Sequence, residues 1–244
     1  DNHCHLPPGP EGEAWVTAAR SAGVTHMVTV GVTVERSIEA IEIASRHDGV
    51  FATVGVHPHD ASAGMAGIDD LVSRPGVVAV GEAGLDYHYD HSPRATQQAL
   101  FRSHIALAHE SGLPLVIHSR EAWEDTFDIL DEAGVPDRTV FHCFTGGPRE
   151  ADLALARGAM VSISGIVTFG TAGELREAVT RVPLARLMVE TDSPYLTPEP
   201  HRGRPNRPAL VPLVGERVAS VLDRPVAEVA QATTANACAF YGVD

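Results

Sequence analysis

Short apolar, β-branched runs in this chain keep ending on a side chain that can bind a metal. Val77-Val78-Ala79-Val80-Gly81 leads into Glu82, and Leu113-Pro114-Leu115-Val116-Ile117 leads into His118. Thr139-Val140-Phe141 runs into His142, Leu187-Met188-Val189-Glu190-Thr191 into Asp192, and the chain opens Asn2-His3-Cys4-His5. Runs of this length and composition read as buried strands. Ligands delivered one at a time from the C-terminal ends of parallel strands are how an α/β barrel assembles a polar centre, because its active-site face lies there. The pattern predicts a metal-dependent hydrolase.

Strand candidates fall near 1–5, 25–31, 50–56, 77–82, 113–118, 138–143, 159–164 and 186–191. Helical patterns lie between them, at 11–22, 34–47, 92–111 and 121–133, and the stretch 206–240 is helical with a turn at Arg224-Pro225. The clearest is 92–111, where Leu100, Ile105, Leu107 and Ala108 share one face and Gly112 is the stop. Eight strands each followed by a helix predict a TIM-type (β/α)8 barrel, and 244 residues suit a single domain spanning 1–244. An open doubly wound sheet would set the strand ends along a line instead of a ring. Because the chain starts at Asp1 already in extended sequence, its first strand is expected to be truncated.

Charge and composition narrow the chemistry. A net charge of −14 opposes passive binding to nucleic acid, so a polyanionic substrate needs metal ions and a local basic patch. All eighteen basic residues are arginine. With no lysine, Schiff-base chemistry and a carbamylated lysine bridging two metals are both excluded, so any bridge must be a carboxylate. Cys4, Cys143 and Cys238 are too few for a disulfide framework, which predicts a cytoplasmic setting, with Cys4 and Cys143 as buried structural thiols. No apolar run is long enough to span a bilayer, and no signal-peptide pattern opens the chain.

His3 and His5, an H-x-H pair on an extended segment, point to one face about 7 Å apart at their Cα atoms and can share a metal. Glu82, after a wholly apolar run, needs a cation beside it; it is the candidate bridge, with a structural ion pair to an arginine as the alternative. His118 and His142 are the candidates for a second metal. Asp192 can touch a metal and take a proton from the attacking water, or serve as a cap before Pro194. His57, Asp86 and Tyr87 are candidate substrate contacts, with structural hydrogen bonding as the alternative. Arg120 is a candidate phosphate grip, and Arg202, Arg204 and Arg207 form a basic Gly/Pro-rich loop that either receives phosphate or is an ordinary exposed loop. His104 and His109, inside a helix, are expected to be structural or solvated.

Taken together, Asp1-Asn2-His3-Cys4-His5-Leu6, Gly55-Val56-His57-Pro58-His59, Gly81-Glu82-Ala83-Gly84-Leu85-Asp86-Tyr87, Ile117-His118-Ser119-Arg120, His142-Cys143-Phe144-Thr145-Gly146 and Glu190-Thr191-Asp192-Ser193-Pro194-Tyr195-Leu196 resemble the TatD family of metal-dependent deoxyribonucleases, in order and over essentially the whole chain. The Arg-Gly-Arg-Pro-Asn loop at 202–206 belongs to the resemblance. Pro7-Pro8 departs from it, standing where many members carry an acidic residue. The resemblance implies a two-metal barrel that hydrolyses DNA phosphodiesters from the 3′ end of single strands, with His3, His5, Glu82, His118, His142 and Asp192 as metal ligands. Four histidines and two carboxylates suit bound Zn²⁺, Mn²⁺, Co²⁺ or Ni²⁺, while the family's activity implies support by Mg²⁺ or Mn²⁺. The expected partner is a DNA end or another phosphodiester, with no membrane and no obligatory protein partner. Two other functions remain open: a small-molecule amidase, lactonase or esterase on the same barrel, and a non-catalytic metal-binding scaffold.

Overall fold

The computed structural model describes residues 1–244. In chain order the elements are α1 (Pro10–Ser21), β1 (Met27–Thr29), α2 (Val34–Ala44), β2 (Val50–Val54), β3 (Val77–Asp86), α3 (Arg94–Ser111), β4 (Leu115–Arg120), α4 (Trp123–Ala133), β5 (Thr139–Phe141), α5 (Pro148–Ala156), β6 (Met160–Ile163), α6 (Gly173–Arg181), β7 (Leu187–Val189), α7 (Val211–Leu222) and α8 (Val226–Tyr241). The seven strands follow the order β1 to β7, each pair of described neighbours running parallel. This is the α/β fold of the TIM-barrel type.

Two expected features differ. Residues 1–5 form no strand; they bend at His3 and make a single parallel bridge, Cys4 to Thr29. After β2 the expected α-helix is replaced by a short 3-10 turn, Pro58–Ala63, entered through Pro58 and ended by Gly64 at φ 72°. Elsewhere the helical patterns hold, and α3 stops at Gly112, whose φ of 67° is the left-handed conformation that glycine adopts without a Cβ clash.

The chain divides into two compact units, one made of Asp1–Thr29 and His142–Asp244, the other of Val30–Phe141. In the second unit, β2 to β5 are buried on both faces, and Ala79, Val80, Leu85, Leu115, Ile117, Leu130 and Phe141 fill the core with Phe101 and Ile105 of α3. Strand β3 runs past Glu82 to Asp86, so Glu82 lies within a strand and not at its end. The register between β3 and β4 shifts between Val80 and Ala83, an irregularity of the kind that re-aims a side chain. Gly84 pairs with His118, and a Cβ on Gly84 would lie 2.0 Å from the His118 carbonyl oxygen. Only glycine lets β4 approach this closely, at φ 142°.

In the first unit the N-terminal segment is held on both sides. Cys4 N–H donates to the Val28 carbonyl, and Asn2 N–H donates to Val189 O. Asp192 N–H reaches His3 O at 2.9 Å, and His5 N–H reaches Ser193 O at 2.8 Å. These ladder contacts fix His3 and His5 beside the end of β7 without a continuous strand.

Candidate metal centre

In the first unit, His3, His5 and Asp192 each offer a ligand atom, and these atoms lie within 4.8 Å of one another. His5 Nε2 is 3.4 Å from Asp192 Oδ1 and His3 Nε2 is 3.8 Å away. The His142 ring stacks on His3, centroids 3.8 Å apart. Burial would push the Asp192 carboxyl up, but the His5 hydrogen bond and the field of His3, His142 and His5 outweigh it and hold the group below its ordinary value. Asp192 itself sits at φ 55°, a left-handed conformation that aspartate tolerates better than most residues. Buried Asn206 keeps it there: its side-chain amide donates to Thr191 O at 2.9 Å and Tyr195 O at 2.6 Å.

His142 is backed by Glu190, which is fully buried. Glu190 Oε1 lies 3.2 Å from His142 Nδ1 and accepts the Cys143 N–H at 2.8 Å, while Ser162 donates its hydroxyl to Oε2. Ser162 in turn accepts from Asn2 Nδ2 at 2.7 Å. A carboxylate on Nδ1 fixes the proton there and leaves Nε2 as a ligand.

The second unit brings His57, Glu82 and His118 together, again with ligand atoms within 4.8 Å. Glu82 Oε1 is 2.9 Å from His118 Nδ1 and 3.4 Å from His57 Nε2. Asp86 Oδ2 meets His118 Nε2 at 3.1 Å and His59 Nε2 at 3.1 Å, and its Oδ1 accepts the N–H groups of His88 and Tyr89. Burial opposes the charge on Asp86, yet its bonds from His118, Tyr89 and His59 hold it ionised, well below the usual carboxylate range.

The donor chemistry of this group fits a cation. Carboxylates face both nitrogens of His118, Asp86 at 3.1 Å from Nε2 and Glu82 at 2.9 Å from Nδ1; with the proton on Nε2 toward Asp86, the Nδ1 lone pair and the Glu82 oxygen would meet on a cation. His57 differs. Its Nδ1 accepts the His59 N–H at 3.1 Å, which places the ring proton on Nε2, facing Glu82. Burial pushes its pKa down to about 4, so the ring is a neutral donor at pH 7.

The remaining expected residues fall as follows. Tyr87 is committed: its hydroxyl donates to Asp125 at 2.6 Å and accepts from Gln98 at 2.7 Å, with the Arg94 guanidinium 4.2 Å from its ring. Arg120, at the end of β4, lies over the Tyr89 ring. Arg202, Arg204 and Arg207 are all exposed, with Arg202 over Phe169 at 3.8 Å. Helix α3 positions two of the site segments: His104 Nε2 accepts the Val56 N–H, and Gln97 clasps the Asp86 backbone through both ends of its amide. Cys4 is buried, and that burial pushes its thiol up to about 12. Sequence reasoning missed Glu190, Asn206 and Tyr89. For Glu190 a signal existed, since it ends the same apolar run that points to Asp192.

Residues 1–242 match the model of a protein family described as TatD related DNase. The chain is 37% identical to an uncharacterized metal-dependent hydrolase of Bacillus subtilis, YabD, covering 100% of this chain and 99% of that one. It is 40% identical to a 3′-5′ ssDNA/RNA exonuclease, TatD, of a Rahnella species, over 84% of this chain and 82% of the relative. Among solved structures it is similar to YJJV, a TatD homolog from Escherichia coli K12, with a TM-score of 0.93 at 28% identity over 100% of this chain and 98% of that chain.

Proposed function

The chain belongs to the TatD related DNase family and is a metal-dependent hydrolase, and from that premise we propose that it is a 3′-5′ exonuclease on single-stranded DNA. The observation that carries this reading is the pair of carboxylate-backed imidazoles, His142 on Glu190 with its ring stacked on His3, and His118 on Asp86 within the converging donors His57, Glu82 and His118. His3, His5, Glu82, His118, His142 and Asp192 hold two divalent ions, with Zn²⁺, Mn²⁺, Co²⁺ or Ni²⁺ resident and Mg²⁺ or Mn²⁺ supporting turnover. Such ions acidify water and offset the charge on a phosphodiester.

The protein's own groups do the rest. Asp192, held as a carboxylate, takes the proton from the attacking water. Glu82 orients the ligands around it. His57, a neutral ring whose Nε2 proton faces Glu82, is a substrate contact at the edge of this group, because that tautomer does not suit metal ligation. Arg120 and the loop carrying Arg202, Arg204 and Arg207 supply positive charge against a net charge of −14. Asp86 and Tyr87 position neighbouring groups, because their polar atoms are already engaged. The partner is a DNA end, with no protein partner required. No helix is long and apolar enough to cross a membrane. All three cysteines are free thiols, in keeping with a cytoplasmic location.

A second reading, hydrolysis of a small ester or lactone, is favoured by the same net charge, which repels a polyanion. A 5′-labelled single-stranded oligonucleotide, followed on a sequencing gel, separates the two. Chelator-stripped protein with Mn²⁺ or Mg²⁺ restored is expected to shorten it from the 3′ end, and Glu82→Ala is expected not to. Intact DNA beside folded, metal-loaded protein would contradict the exonuclease and favour the small substrate.

A further inference from the structure

The second unit exposes an aromatic surface that the hydrolytic groups do not use. Tyr89 is one of only four large apolar side chains exposed, with 51% of its surface open. The His91 ring lies parallel to it within 2°, centroids 5.5 Å apart. The Arg120 guanidinium carbon sits 4.8 Å from the Tyr89 ring centre. His59 meets both rings edge-on, at 5.4 Å and 4.6 Å, and packs on His57 at 4.3 Å. An unbroken series of rings therefore runs from this surface to His57, beside Glu82.

We propose that Tyr89, His91 and Arg120 form a stacking platform for a base of single-stranded nucleic acid beside the scissile phosphate. Parallel rings and a guanidinium plane are the surfaces on which unpaired bases stack, whatever their sequence. Charge gives the platform its purpose. At a net −14 the protein repels a phosphate backbone over most of its surface, whereas stacking on a neutral base is indifferent to that field. The inference rests on the exonuclease reading, and it names how that substrate is gripped.

The test is steady-state hydrolysis by the metal-loaded protein. Its substrates are single-stranded oligonucleotides carrying all bases, or one abasic residue at each of the last three positions in turn. Tyr89→Ala is expected to lower kcat/KM on the all-base substrate roughly tenfold, chiefly through KM, and Tyr89→Phe to retain it. One abasic position is expected to cost the wild-type protein a similar factor and to cost Tyr89→Ala nothing more. His91→Ala is expected to follow Tyr89→Ala in the same direction, and the melting temperatures of all three variants report their folding. Equal losses by Tyr89→Ala on base-bearing and abasic substrates, or no loss on either, would overturn the platform. A wild-type protein that shortens no oligonucleotide would instead overturn the exonuclease reading, so the two failures are distinguishable.

Discussion

In the first unit the carboxylate behind the candidate ligand histidine is held by groups distant in sequence; in the second it is held largely by the turn that follows it. Glu190 leaves the end of β7 fully buried and is satisfied by partners distant in sequence, the Ser162 hydroxyl, the Cys143 N–H and His142. Asp86 ends β3 and is satisfied from its own turn, by the N–H groups of His88 and Tyr89, before it reaches His59 and His118. Both arrangements meet one chemical requirement, a carboxylate that fixes which imidazole nitrogen keeps the proton. The core version ties the site to the packing of three segments. In the second version one oxygen of Asp86 is held by the turn that follows it, which leaves the other to serve two rings.

The largest effects are expected where the groups would meet the reacting atoms. Asp192→Asn and Glu82→Gln should each lower kcat on an oligonucleotide by about 10³-fold, measured with metal content checked by elemental analysis. Equal activity in either variant would remove that residue from the chemistry. Next come the backing carboxylates. Glu190→Gln and Asp86→Asn should each weaken metal affinity about 10- to 100-fold, read by competition with a chelating dye. The comparison sharpens in stability: Glu190→Gln disturbs buried donors in the core and should lower the melting temperature more than Asp86→Asn. The reverse order would break the distinction between core and turn.

A smaller effect belongs to the arginine loop of the first unit. Replacing Arg202, Arg204 and Arg207 together with alanine should reduce kcat/KM on DNA about tenfold and flatten its dependence on salt, while a neutral ester substrate should be hydrolysed as before. Unchanged salt dependence would return the loop to an ordinary exposed segment.

The smallest effect concerns His104, whose burial pushes its pKa down to about 4 from 6.5. Between those values the unfolded chain binds a proton that the folded chain refuses. Stability should therefore fall as pH drops from about 6.5 to about 4, level off below, and be unaffected by this group above 6.5. His104→Gln should show a shallower fall in denaturant midpoint across that window; an identical slope would assign the loss to other groups.

Much of this was legible in the sequence because burial on both faces of parallel strands writes continuous apolar runs. Seven of the eight expected strands occur, and 1–5 shrinks to one bridge because its contacts are made through loop residues such as Ser193 and Asp192. Glu82, His118, His142 and Asp192 stood out because an ionisable group after such a run needs a partner. What the partner was did not stand out. Nothing in Val189-Glu190-Thr191 says that Glu190 faces His142, and nothing in Pro205-Asn206 says that the amide spans Thr191 and Tyr195. The shift in β3 register was also hidden; it falls between Val80 and Ala83, around Gly81, where a Cβ would lie 2.6 Å from the Val116 carbonyl oxygen. The stacking of Tyr89 with His91 depends on the turn that Asp86 organises, which follows from hydrogen bonds and not from spacing.

The central claim is that each unit contributes a group that holds its own divalent ion. Calorimetric titration of Mn²⁺ into chelator-stripped protein tests it most directly, with His5→Ala and His118→Ala alongside the wild type. Two equivalents are expected for the wild type, with a different one weakened in each variant. A single equivalent, abolished equally by both substitutions, would contradict the account.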